Sequence, residues 1–303
     1  MAARLWAIGL LLELALSAGV GWLSVRAAGA APAMGAVAAL AALGALALAA
    51  VGAPLALARA GGREGASREI PRHSLALLAA EALALQLAMS RMALAPLARP
   101  GRLAPDCGAQ RGPPVLLVHG FACNGAVWRP LLKRLERASI GPTRAVSLEP
   151  LLDDIDAQAD RLLAPLEAVW RAGGGRPVAI VAHSMGGLVA RALLARVPPG
   201  RLAAIVTLGT PHHGTVLACS LPWPCARQMC PDSPWLRDLN RAQERRLTVP
   251  VSSLYSLDDT LILPPASAAL GGARVRELRG VGHLGLLRAP RVLERVVAEL
   301  ARC

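Results

Sequence analysis

From residue 33 to residue 58 the chain carries no charge at all. A run of that length passes the ~18 apolar residues that mark a membrane-spanning helix. In lipid, a lone segment satisfies its own backbone hydrogen bonds only as a helix. Ahead of it, residues 5–25 are apolar apart from Glu13, Ser17 and Ser24. That first run is either a second spanning helix or a cleaved signal peptide, with Arg4 as its basic flank and Ala28-Gly29-Ala30 as its small-residue site. It outlasts the ~7–15 apolar residues of a signal peptide, which favours the spanning helix.

A polar, glycine-bearing break follows, with Arg59, Arg63, Arg68 and Arg72, a cluster that suits the cytoplasmic side. Residues 74–98 are rich in Leu and Ala but interrupted by Glu81, Gln86 and Arg91. They form either an amphipathic helix lying on the membrane or a third span. Glu81 inside a span would cost roughly 2–3 kcal/mol. With two spans the C-terminal part faces the cytoplasm; with three it faces the periplasm. The expected organisation is a membrane region at 1–73, a third helix and linker at 74–111, and a catalytic domain at 112–303.

The formal net charge is +13, carried by arginine apart from Lys133. Ten Arg against five acids fall in residues 1–111, and the remaining excess is spread over the rest. A dispersed excess suits an anionic membrane surface, and no aromatic-interleaved basic stretch points to nucleic acid. An Ala- and Arg-rich composition fits a GC-rich bacterial genome, which would place the spans in a bacterial inner membrane. Six cysteines are present without a CxxC pair, so no metal site is expected. Cys219, Cys225 and Cys230 lie in a Pro-rich stretch, where a disulfide and free buried thiols are both consistent with the spacing.

After a Pro/Gly-rich linker at 99–113, strand-like and helix-like patterns alternate. Strands are predicted at 115–119, 178–182, 202–208, 251–255 and 275–278, with helices at 128–139, 186–197 and 286–301. Short apolar strands alternating with helices make an α/β fold, a mostly parallel sheet covered on both faces.

The segment Val178-Ala-Ile-Val-Ala182-His183-Ser184-Met185-Gly186-Gly187 runs from a buried strand straight into a helix. A nucleophilic serine must stand clear of the sheet on such a turn, with small residues two before and two after it. Ala182 takes the first of these places and Gly186 the second. Cleavage of an ester also needs two N–H donors for the oxyanion. Met185, after the serine, and Phe121, after the strand ending His119-Gly120, are the candidates. His119 precedes the serine and is expected to brace its loop, and His183 to pack. The adjacent pair His212 and His213 is expected to shape a wall. His283, in Gly280-Val-Gly-His-Leu-Gly285, is the only histidine after these and is the candidate base. Asp258 and Asp259 both follow the strand ending near Tyr255, and alternation along the chain lets only one face the imidazole.

These motifs together resemble the small bacterial lipases and esterases of the α/β-hydrolase superfamily. The matching segments are His-Gly-Phe at 119–121, Ala-His-Ser-Met-Gly-Gly at 182–187, Leu-Gly-Thr-Pro-His-His-Gly-Thr at 208–215, Ser-x-x-Asp at 256–259 and Gly-Val-Gly-His-Leu-Gly-Leu-Leu at 280–287. The resemblance implies an α/β-hydrolase domain with the triad Ser184, Asp259 and His283; the apolar runs, and not the resemblance, put α-helical transmembrane segments before it. The resemblance also implies hydrolysis of lipid or other apolar esters with no cofactor. Between two neighbouring acids it selects Asp259. The membrane segments and everything before residue 112 lie outside the resemblance. The insertion at 216–250, with Trp223 and Trp235, is either a lid over the acyl pocket or a packed surface loop. The same triad also serves acyl transfer or thioester hydrolysis, and a non-catalytic membrane scaffold is the reading from outside enzymology.

Overall fold

The structure, a computed structural model, describes residues 2–28, 31–60, 73–95, 111–244, 247 and 249–303. The Arg-bearing break and the linker expected at 99–113 fall almost wholly outside these residues. Three N-terminal helices come first: α1 (Ala2–Ala28), α2 (Pro32–Ala60) and α3 (Leu75–Ala93). Each is long and apolar enough to cross a membrane by length and composition. Ser74 caps α3, its hydroxyl accepting the Leu77 N–H.

Beyond them lies a six-stranded sheet of β1 (Val115–Val118), β2 (Thr143–Ala145), β3 (Val178–His183), β4 (Leu202–Leu208), β5 (Val251–Ser256) and β6 (Arg274–Leu278). The order is β2-β1-β3-β4-β5-β6, and every pairing is parallel. β1 and β3 are buried along their whole length, which is why they read as continuous Val/Leu/Ile/Ala runs rather than alternating ones. β2 was not foreseen. Its Thr-Arg-Ala sequence forms a short edge strand and offers no apolar run to read.

The helices around the sheet are α4 (Arg129–Arg137), α5 (Ile155–Arg161), α6 (Leu163–Ala172), α7 (Met185–Leu193), α8 (Pro224–Met229), α9 (Pro234–Glu244) and α10 (Pro290–Leu300). Alternation along β1 divides the interior into two layers. Leu116 and Val118 pack with Ile155, Leu162 and Leu188 from α5 to α7, whereas Val115 and Leu117 pack with Leu131, Leu135, Val292 and Val296 from α4 and α10. Each large aliphatic side chain so buried contributes about 1.5–3 kcal/mol.

α3 belongs to this interior as well. Its Ala88 and Met92 join the layer formed by α4 and α10, and Asn124 Nδ2 donates to the Met92 carbonyl at 3.1 Å. Its other side meets the membrane-length hairpin: Ala82 packs on Ala47 and Val51 of α2, and Gln86 donates to Glu13 of α1 at 3.0 Å. α3 is thus sandwiched between the hairpin and the sheet domain. The outer faces of α1 and α2 carry large exposed apolar side chains, Leu12, Leu16, Leu40 and Leu57 among them.

Candidate active site

The chemistry-bearing residues gather where the strands of the parallel sheet end. Ser184 sits between β3 and α7 with φ 55° and ψ −130°. That conformation strains any residue but glycine, at a cost of about 1–3 kcal/mol, and it is what a sharp strand-to-helix turn requires of a serine raised above a sheet. The turn leaves no room beside it. A methyl group on Gly186 would come within 2.5 Å of the His119 carbonyl and 2.7 Å of the Val118 carbonyl. Ala182 replaces the other expected glycine without penalty, because it is an ordinary β3 residue paired with Val118 and Thr207.

His283 and Asp259 meet in the interior. The imidazole Nδ1 lies 3.0 Å from both carboxylate oxygens. Asp259 Oδ1 also accepts the N–H groups of Leu261 and Ile262 at 2.8 Å each, which fixes the carboxylate. Burial works against the charged imidazole, but the Asp259 carboxylate, by charge and hydrogen bond, holds its pKa above the ordinary histidine value. Asp258 faces elsewhere, accepting the Gly280 N–H at 2.6 Å. His183 bridges the two halves of the site: it immediately precedes Ser184, its ring lies 4.5 Å from that of His283, and its Nε2 donates to the His283 carbonyl at 3.1 Å.

Met185 opens α7, where the first N–H groups have no acceptor within the helix. Phe121 follows the β1 loop. Among the described residues neither N–H is engaged by another backbone group. His119 braces that loop. Its Nδ1 donates to the Gly120 carbonyl at 2.8 Å and its Nε2 accepts the Leu148 N–H at 2.9 Å, and burial pulls its pKa down to about 4. A histidine with both ring nitrogens committed in this way is a neutral strut. The rings of His212 and His213 diverge, the first to Thr207 and Arg191, the second to the Ala269 carbonyl.

A family model described as the alpha/beta hydrolase fold matches residues 113–247, the stretch that carries the elbow. The chain has the α/β-hydrolase fold. Sequence relatives of this chain include a triacylglycerol lipase of Burkholderia plantarii, 31% identical over 153 residues that cover 46% of this chain and 42% of that one. Another is a triacylglycerol lipase of Pseudomonas fragi, 30% identical over 108 residues covering 35% and 36% of the two chains. The matches therefore span less than half the length of these lipases. Among solved structures, the mature form of Bacillus licheniformis lipase BlEst2 has a TM-score of 0.58 at 16% identity, covering 67% of this chain and 99% of that one. Aspergillus fumigatus lipase B has a TM-score of 0.57 at 17% identity, covering 94% and 85%. At such identities the likeness is one of fold.

The insertion at 216–250 contains α8 and α9. A disulfide joins Cys219 to Cys230 and leaves Cys225 buried and free. The two tryptophans differ in setting. Trp223 is surface-exposed with its ring 5.7 Å from Phe121, whereas Trp235 donates to Asp156 of α5 and packs against the core. Beside the Phe121 loop lies an apolar cavity of about 570 Å³, lined by Leu5, Trp6 and Gly9 of α1 together with Ala122, Leu152 and Pro224. Trp6 Nε1 closes one side by donating to the Ala122 carbonyl at 2.7 Å. Sequence reading gave α1 no place near the site, because a contact 116 residues away leaves no periodic trace in the chain.

Proposed function

We propose that this α/β-hydrolase is a membrane-anchored serine esterase or lipase that hydrolyses carboxylic esters with apolar acyl groups. The observation that carries the reading is a strained Ser184 at the strand-to-helix turn, whose chain neighbour His183 packs against the His283 ring of a buried Asp259–His283 pair. His283 Nε2 takes the Ser184 proton, the alkoxide attacks the ester carbonyl, and the N–H groups of Phe121 and Met185 hold the oxyanion. The imidazolium, stabilised by Asp259, then protonates the leaving alcohol. Water enters, is deprotonated by the same imidazole, and releases the acid. The lipases among the relatives support an acyl ester as substrate.

The test is reaction with a fluorophosphonate probe followed by peptide mapping, with hydrolysis of p-nitrophenyl esters measured alongside. Labelling at Ser184 and release of free acid are expected. Product formed chiefly with an added alcohol or thiol would make the enzyme a transferase instead. No covalent labelling and no turnover would leave a scaffold.

Two further outcomes follow from this reading. The uncharged run 33–58 within α2 has no cheap route into water, so the full chain is expected to stay in the membrane pellet after alkaline carbonate washing; release would remove the anchor. The cavity beside Ala122 is an apolar slot of the size ligand pockets take, ~300–1,000 Å³. If an acyl chain lies there, Leu152→Trp should raise KM for a dodecanoyl ester about tenfold more than for an acetyl ester, since filling a slot discriminates by chain length. Equal changes for both esters would place the acyl chain elsewhere.

A further inference from the structure

Glu81 is the only acid in α3 and is 2% exposed. An isolated carboxylate in so apolar a helix is costly unless donors surround it. Here they do, and all of them belong to the loops that carry Asp259 and His283. Glu81 Oε1 accepts the Leu284 N–H, and also the Thr260 hydroxyl at 3.2 Å. Oε2 accepts the Gly285 N–H at 3.0 Å. The Thr260 hydroxyl oxygen in turn lies 3.5 Å from the His283 N–H. Gly282 is part of the same fit: any side chain there would collide with the Glu81 carboxylate. One carboxylate therefore ties together the residue after the acid, the two residues after the base, and a helix that otherwise reads as membrane.

We propose that Glu81 is a positioning residue for His283, holding the 282–285 loop so that the imidazole stays between Asp259 and Ser184. The proposal rests on the triad reading above. On this account α3 is part of the catalytic apparatus, and the N-terminal region does more than anchor the domain.

The experiment uses the full chain in detergent micelles, comparing wild type with Glu81→Gln and Thr260→Val. The number of active sites is titrated with the fluorophosphonate, so that turnover is counted per competent site. Gln keeps the shape but has one acceptor oxygen where two are used, and its NH2 must face a donor. Misplacing a catalytic group by about 1 Å costs on the order of a hundredfold. Glu81→Gln is therefore expected to lower kcat about 30- to 100-fold with KM changed less than threefold, and Thr260→Val, which loses one bridge, about tenfold.

The pH profile separates positioning from a loss of folded protein. The groups facing His283 are Asp259, Glu81 and the neutral, buried His183, with His73 on the Asp259 carbonyl. The base must be neutral to act, so activity falls as pH drops through its pKa. Removing the Glu81 charge lowers that pKa, and the acid limb of kcat in Glu81→Gln should move to lower pH. Misfolding would reduce the titrated sites and leave the limb in place. Wild-type kcat with an unmoved limb in Glu81→Gln overturns the proposal. If Glu81→Gln yields no folded protein, Thr260→Val decides: at least a fivefold loss of kcat at constant KM supports it, and unchanged kcat overturns it. Absence of labelling at Ser184 in the wild type would instead defeat the triad reading itself.

Discussion

Replacing Ser184 by alanine should lower turnover of p-nitrophenyl butyrate by about a millionfold, the usual cost of removing a triad nucleophile. The protein itself should be spared. Among the described residues the hydroxyl forms none of the hydrogen bonds that hold the turn; those run through the Ser184 backbone, from its N–H to the Leu208 carbonyl and from the Thr210 hydroxyl to its carbonyl. Alanine has a Cβ like serine and inherits the same strained dihedrals, so the melting temperature should stay within a few degrees of wild type. Activity within tenfold of wild type would take Ser184 out of the mechanism. Loss of activity together with loss of the folded state would mean that the hydroxyl was structural.

The second large effect belongs to Asp259. An Asn side chain keeps an oxygen at the Oδ1 position, where Leu261 and Ile262 donate. Its NH2 then falls at the Oδ2 position, 3.0 Å from His283 Nδ1. Two donors now face each other, and the ring is pushed toward the tautomer whose Nε2 carries the proton and accepts none. Turnover should fall about 10⁴-fold, less than for the serine, because orientation and charge stabilisation are lost while the nucleophile stays. Asp258→Asn serves as the comparison. Its carboxylate only caps the Gly280 N–H near the surface, and the variant should keep at least a third of wild-type turnover. Measuring both at one pH settles the assignment, and the reverse ranking would move the role to Asp258.

Most of the sheet was legible because its central strands are buried on both faces and so appear as uninterrupted apolar runs. β3 and β4 lie within a residue of their expected bounds for that reason. β2 escaped because an edge strand of three residues has only one side to cover. The helices α5 and α6 went unread as well: a turn at Leu162 divides them, and neither half is long enough to show a clear period. At the site, Ser184 and His283 could be picked out because local chemistry demands small neighbours around each. The two adjacent aspartates could not be separated by spacing, and only the family resemblance chose between them. Glu81 was legible solely as a cost to membrane insertion. Its partners stand 179 to 204 residues away, and nothing in the order of the chain announces a buried acid whose donors come from such distant loops. The pairing of Cys219 with Cys230, and not with Cys225, was equally a matter of how α8 places three thiols in space.

The placing of α1 bears on how such an enzyme would meet its substrate. Leu5, Trp6 and Gly9 line the cavity next to Ala122, while the outer faces of α1 and α2 present aliphatic side chains such as Leu12, Leu16, Leu40 and Leu57 outward. If, as proposed, those helices lie in lipid and the acyl chain enters by this cavity, the substrate arrives from a surface and not from a volume. Encounter then becomes a search in two dimensions, and the rate follows the mole fraction of ester in the bilayer. Diluting vesicles in buffer at fixed composition would leave it unchanged, whereas diluting the ester with inert lipid would slow it in proportion.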